Sequence, residues 1–247
     1  MQPLERRLRT LAVFNSVALA AIGILAASGF AKQGPARFDE IDVQRINVVG
    51  EDGKPVMVIA RRGRLPGPSM NGRAYPAAVS EGRELLSGMI FFSETGDEVG
   101  GLLYNSIKRD SGYSAIGHLS LDQWKQNQVV ALQYVDNGRT RRAGLQVLDR
   151  PTTVTMGPEL DRLERLLTAT GSTRDSLRRE GAAARARGET GVPRIFVGSQ
   201  DRNALVQLRD TQGRIRVQLR VDSVNVARLE FLDEAGKVAA SYPPPGD

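Results

Sequence analysis

The stretch INVVGEDGKPVMVIA, Ile46 to Ala60, decides the reading of the fold. Ile46 and Val48 stand as alternate apolar residues either side of Asn47, Glu51-Asp52-Gly53 turns the chain, and Val56, Val58 and Ile59 return. Alternation of period two on either side of a glycine turn reads as strand, turn, strand. Close variants recur downstream. GMIFFSETGDEVGGLLY turns at Gly96, VVALQYVDNGRTRRAGLQV at Asp136-Asn137-Gly138, NALVQLRDTQGRIRVQLRV at Gly213 and ARLEFLDEAGKVAASYP at Gly236. Asn137-Gly138 is the strongest of these signals, because both residues tolerate positive φ.

Five hairpins at irregular spacing argue against a solenoid, whose period is fixed. The expected fold is mainly β, built of antiparallel hairpin repeats as a meander or a barrel-like sheet, with an N-terminal transmembrane helix and a helical insertion. Glycines inside the strand EVGGLLY mark a bulge or a close backbone approach rather than a nucleotide site, since neither dinucleotide nor P-loop spacing is present.

Two segments break the hairpin pattern. Arg61 to Ser87 holds Pro66, Pro68 and Pro76 with several glycines and reads as a long irregular excursion, a kind of connection that is often functional. Pro158 to Gly188 reads as helical. Leu160, Leu163, Leu166 and Leu167 share one face, Pro158 suits a first helical position, and Gly171 suits a stop. Ser172 with Asp175 resembles a capping box for a second helix through Leu177 to Arg187, whose scarcity of apolar residues predicts a solvent-exposed element.

The first 31 residues bear on location. Arg6, Arg7 and Arg9 precede a charge-free run from Thr10 to Ala31, and 22 residues reach about 33 Å as a helix, enough to cross a bilayer. The positive-inside rule places the N-terminus in the cytoplasm and the remainder outside. The alternative is a secretory signal cleaved after Ala31, although the run is longer than a signal core of roughly 7 to 15 residues. The chain thus divides into a basic cytoplasmic stub (1–9), a transmembrane anchor or signal (10–31), a linker (32–40), a β-hairpin domain (41–150), a helical segment (151–190), C-terminal β-hairpins (191–242) and a disordered tail (243–247).

Composition excludes several functions. The 247 residues contain no cysteine, so disulfides, thiolate metal sites and a cysteine nucleophile are ruled out. Of the net charge of +6, the first nine residues carry +2, and no basic cluster is interleaved with aromatics, so no nucleic-acid partner is expected. The acidic turns, from Glu51-Asp52 through Asp97, Asp136 and Asp210 to Asp233, lack the alternating ligands of a calcium loop and read as hydrogen-bonding turns. No metal or cofactor is assigned.

The candidate ligand-binding residues are Trp124, Tyr113, Tyr134 and His118. Trp124 is the sole tryptophan and His118 the sole histidine. An exposed tryptophan near tyrosines stacks well on sugars or peptides. His118, Ser120 and Asp122 share one strand face, but His118 and Asp122 stand on the order of 13 Å apart along a strand, too far for a catalytic triad. No catalytic residue is assigned.

FDEIDVQRINVVGEDGKPVMVIA, with GMIFFSETGDEVGGLLY and DQWKQNQVVALQYVDNGRTRRAGLQVLDRP, resembles a group of uncharacterised bacterial proteins with a short N-terminal hydrophobic segment and a β-rich domain. The likeness spans about Phe38 to Pro151, with the FDEIDVQRINV opening its most specific part. It implies no activity and transfers no site residue. The expected function is a membrane-anchored, extracytoplasmic binding or scaffolding module of the bacterial envelope, attached through residues 10–31 and engaging an envelope protein or a glycan. The alternatives are an envelope hydrolase acting on glycan or peptide and a component that self-assembles through sheet edges. The oligomeric state is not readable from sequence.

Overall fold

The computed structural model describes residues 2–29, 36–110 and 112–244. The end of the apolar run with Ala31, the first linker residues and the tail from 245 lie outside the described residues. Two compact units divide at Asp42.

The first unit holds helix α1 (Gln2–Gly29). Its stretch Leu4–Ile24 has a mean hydropathy of 1.4 and none of it is buried, so by length and composition it can cross a membrane. The helix starts at Gln2, so the basic stub read from sequence as a separate segment is part of it.

The second unit is a sheet of twelve antiparallel strands joined as a meander. Its strands are β1 (Arg45–Val49), β2 (Pro55–Ala60), β5 (Ser87–Phe92), β6 (Glu98–Arg109), β7 (Gly112–Asp122), β8 (Gln128–Asp136), β9 (Arg141–Asp149), β10 (Val192–Gln200), β11 (Asn203–Arg209), β12 (Ile215–Val221), β13 (Ala227–Leu232) and β14 (Val238–Tyr242). A small separate hairpin, β3 (Ser69–Met70) with β4 (Arg73–Ala74), lies in the excursion. Neighbours in the sheet are neighbours in sequence throughout, and β1 and β14 are free edges. The sheet is therefore open, and the barrel-like alternative is not adopted.

All five hairpins expected from the glycine turns form. Turn carboxylates hold them. Asp210 Oδ1 accepts the N–H groups of Gln212 and Arg214, and Asp233 Oδ1 those of Ala235 and Lys237. Pairing of β9 with β10 fuses the two hairpin blocks into one sheet, with the helical segment inserted between these strands.

Helices α2 (Gly157–Thr168) and α3 (Gly171–Ala186) follow the expected order with two differences. Gly171 does not stop a helix. With φ +52 it turns the chain so that α3 begins there, and Ser172 and Asp175 fall inside the helix without forming a capping box. Nor is α3 wholly exposed: Leu177 is fully buried, and Gly181 lets the Arg162 guanidinium approach so closely that a Cβ there would lie 2.6 Å from Arg162 Cζ. Arg162 Nη1 also donates to the Leu177 carbonyl at 3.0 Å.

The two faces of the sheet differ sharply. On one face Val58, Ile90, Ala131 and Phe196 are buried. Leu65 of the excursion packs against Val58 and Ile90 on this face, and a second cluster joins Met70, Tyr75 and Val79 of the excursion to Leu160 of α2. The same face carries polar side chains linked from strand to strand: Gln146 donates to Gln133, Gln207 to Gln218 and Gln218 to Glu230. The opposite face bears two rows of residues in register, each crossing all twelve strands. One runs from Ile46 through Leu119, Leu132 and Leu145 to Leu219 and Tyr242; the other runs from Val48 through Leu121 and Val130 to Phe231 and Ala240. Neither row holds a charged residue. Yet more than half of these residues are exposed, Leu132 by 55% and Leu121 by 57%, and most of the rest are half-buried.

Candidate functional site

A cavity of about 330 Å³ lies between the polar face of the sheet, the excursion and α2. Its apolar wall includes Met70, Val79, Ile90, Leu103 and Leu160. Its polar wall includes Ser69, Arg83, Glu98, His118, Ser120, Asp122 and Gln126.

Local sequence explains how the walls are placed. Alternation along β7 puts His118, Ser120 and Asp122 on one face, and the pairing of β6 with β7 sets Gly101 opposite Ser120. A Cβ at Gly101 would stand 2.5 Å from the Met89 carbonyl oxygen, so only glycine lets β5 and β6 run this close. The excursion supplies the roof. Gly82, at φ +80, opens a single 3₁₀ turn that carries Arg83 inward.

Arg83 is 5% exposed and grips Glu98 with two bonds, Nη1 to Oε2 at 2.8 Å and Nη2 to Oε1 at 2.6 Å, while Nη1 also reaches the Pro66 carbonyl at 3.0 Å. A paired, hydrogen-bonded charge is tolerated inside a protein where an isolated one is not. Gln126 is buried and donates to the Val154 carbonyl, tying the β7–β8 turn to the segment that leads into α2.

Among the described residues, three that line this cavity each hold a fully buried polar atom without a partner: Ser69 Oγ, Arg83 Nε and Asp122 Oδ1. Ser69 is only 7% exposed. Leaving a buried donor or acceptor unsatisfied costs about 1–3 kcal/mol each, so three around one cavity form an unusual concentration. Burial first, and then the charge of Glu98, push the Asp122 carboxyl up to about 7, against the pull of the Arg150 and Arg83 guanidinium groups. Burial also lowers the His118 imidazole below its ordinary value. Its Nδ1 lies 3.4 Å from Gln133 Nε2.

Of the four residues singled out in the sequence, only His118 belongs to this cavity. Trp124 is 65% exposed in the β7–β8 turn, where the Lys125 ammonium sits 5.1 Å from its ring centre. Lys125 in turn is bonded to the buried Asp97. Tyr113 and Tyr134 lie on the other face of the sheet. There their hydroxyls donate to Asp136 at 2.9 and 3.2 Å beside Arg141, and the Gly138 N–H helps hold the Asp136 carboxyl down at about 2. The structure brings the two tyrosines together but separates them from Trp124 and His118.

Sequence reasoning missed Ser69, Arg83 and Glu98 as one group. Ser69 and Arg83 lie in the irregular excursion, and nothing local marks which of its polar residues turns inward. The sequence marks Asp122 only as a partner for His118, and among the described residues the two share no hydrogen bond. Among the described residues no group of three or more histidine and carboxylate side chains converges as a metal site. No family model, curated protein or solved structure matches the chain.

Proposed function

We propose that this protein is a membrane-anchored, extracytoplasmic binding module of the bacterial envelope whose ligand occupies the cavity between the sheet, the excursion and α2. The observation that carries the reading is that three residues lining one cavity, Ser69, Arg83 and Asp122, each hold a buried polar atom without a partner, which a small side-chain shift would turn to a ligand. Arg83 Nε–H needs an acceptor, the Ser69 hydroxyl can give or take a hydrogen bond, and Asp122 accepts when ionised and donates when protonated. A ligand with hydroxyl and amide groups meets all three demands, and Met70, Val79 and Leu160 provide an apolar wall for its carbon skeleton. A glycan unit of the N-acetylhexosamine kind has this character.

Titrating an N-acetylhexosamine disaccharide into the full-length protein by calorimetry tests the reading. Saturable binding is expected, weakened at least about tenfold in Ser69→Ala and in Asp122→Asn, which corresponds to about 1.4 kcal/mol. Binding that ignores both substitutions, or no binding, contradicts it.

One observation favours an envelope hydrolase as a second reading. Asp122 holds a proton to about 7 in the cavity that also contains the Glu98 carboxylate. Two carboxyl groups in different environments are the equipment of glycoside hydrolysis. Release of reducing ends from the same disaccharide, abolished in Asp122→Asn, distinguishes turnover from binding.

Membrane attachment with the N-terminus inside is supported by α1 and the arginines that precede its apolar stretch. A reporter active only outside the cytoplasm, fused after Gly34, is expected to give signal. A reporter active only inside, giving signal at that position, reverses the orientation.

A further inference from the structure

The cavity leaves the broad apolar face of the sheet without a role. Both rows on the face opposite the cavity are free of charge across all twelve strands, and most of their large side chains stand open, including Leu119, Leu132, Leu145, Leu219 and Phe231. Strand spacing of about 4.8 Å makes this strip on the order of 50 Å long, and two rows of alternate residues make it about 14 Å wide, so it covers roughly 700 Å². A monomer's largest apolar patch is about 300–600 Å², while one partner of a stable complex buries about 800 Å². The strip is therefore at the upper limit for a monomer and close to what a stable interface uses.

Shape selects the occupant. Neighbouring strands in sheets are rotated on average by about 20–25°, a twist that over twelve strands would turn the strip through more than half a circle. A flat bilayer can touch only a few strands of such a surface at once. A second sheet with the same twist can follow it along its length, packing about 10 Å away with strands nearly aligned. Because the strip carries no charge, placing it against itself brings no like charges together. The apolar N-terminal helix of the same chain would also confine copies to one membrane, which raises their effective concentration.

We infer that two copies of this chain pair face to face through the uncharged side of the twelve-stranded sheet. The midpoint of the strand order falls between β8 and β9, that is, between Leu132 and Leu145. Any two-fold arrangement that covers the whole strip brings these residues close to their own counterparts.

Cysteine cross-linking of the full chain in membranes tests the pairing, and the chain contains no cysteine of its own. Leu132→Cys and Leu145→Cys, treated with a bis-maleimide about 10 Å long, are each expected to give a covalent dimer. Arg216→Cys, on the polar face, is expected to remain monomeric. Adding Leu219→Asp to Leu132→Cys is expected to reduce cross-linking several-fold, because it buries a charge in the contact. Three results overturn the inference: Leu132→Cys and Leu145→Cys label freely with a membrane-impermeant maleimide and do not cross-link, so the face is bare; both are protected yet do not cross-link, so lipid or another protein covers it; or Arg216→Cys cross-links as well as they do, so the contact is random collision. The two test positions lie on different strands, so a folding defect in one leaves the other readable.

Discussion

The two faces of one sheet, made by alternate residues of the same strands, have opposite fates. Ile90 and Leu119 both lie on interior strands of the sheet, yet Ile90 is completely buried while Leu119 is open. The difference is not one of hydrophobicity, since the open face is the more uniformly apolar of the two. What separates them is a cover. The excursion packs Leu65 onto one side only and, with Leu160 of α2, sets Met70 and Val79 across a cavity from that side, where polar groups are buried. Burial then creates the chemistry: Arg83 is forced into a two-pronged bond with Glu98, and Asp122 keeps its proton to about 7.

The largest expected effect comes from breaking the covered side. Arg83→Ala leaves Glu98 without its partner in a largely buried position and is expected to cost about 3–5 kcal/mol in denaturant unfolding, with most of the loss recovered in the double variant Arg83→Met, Glu98→Gln. A loss below about 1 kcal/mol would place this pair in water and remove the contrast between the faces.

A smaller effect, dependent on pH, isolates Asp122. Its folded-state value of about 7 stands above the roughly 3.9 of an unfolded aspartate, so the folded chain binds the extra proton between these values. Its contribution to stability is complete below about pH 4, declines as pH rises towards about 7, and is flat above that. Asp122→Asn cannot ionise and is expected to flatten this decline, melting several degrees higher than the wild type at about pH 8 and with no gain at about pH 4. A gain that persists equally at about pH 4 would show that Asp122 is not held protonated in the cavity.

Much of the sheet was legible because its signals are local. Glycine turns at Gly53, Gly96, Gly138, Gly213 and Gly236 flanked by alternating residues suffice to place five hairpins. The turn at Asp201-Arg202 was missed for a physical reason: its positive φ values, +48 and +72, are taken without a glycine to mark the turn, and at Arg202 by a residue that seldom adopts them. Asn225 plays the same part in the turn between β12 and β13. The candidate site was less legible. Period two distributes residues to two faces but does not say which face will be covered, because that depends on where a 27-residue excursion and a helix some seventy residues later come to rest. Trp124, the most conspicuous residue in the chain, fell in a turn outside the cavity, while Ser69 and Arg83 sit in a stretch with no periodicity to read.

The most direct test of the division between faces is a scan of single cysteines along β8 in the full-length chain, at Val130, Ala131, Leu132, Gln133 and Tyr134, alkylated with a hydrophilic maleimide at low and high protein concentration. Alternation is predicted, with 131 and 133 slow at every concentration and 130, 132 and 134 fast when dilute and protected when concentrated. Uniform reactivity along β8, or protection of 130, 132 and 134 that does not change with concentration, would contradict it.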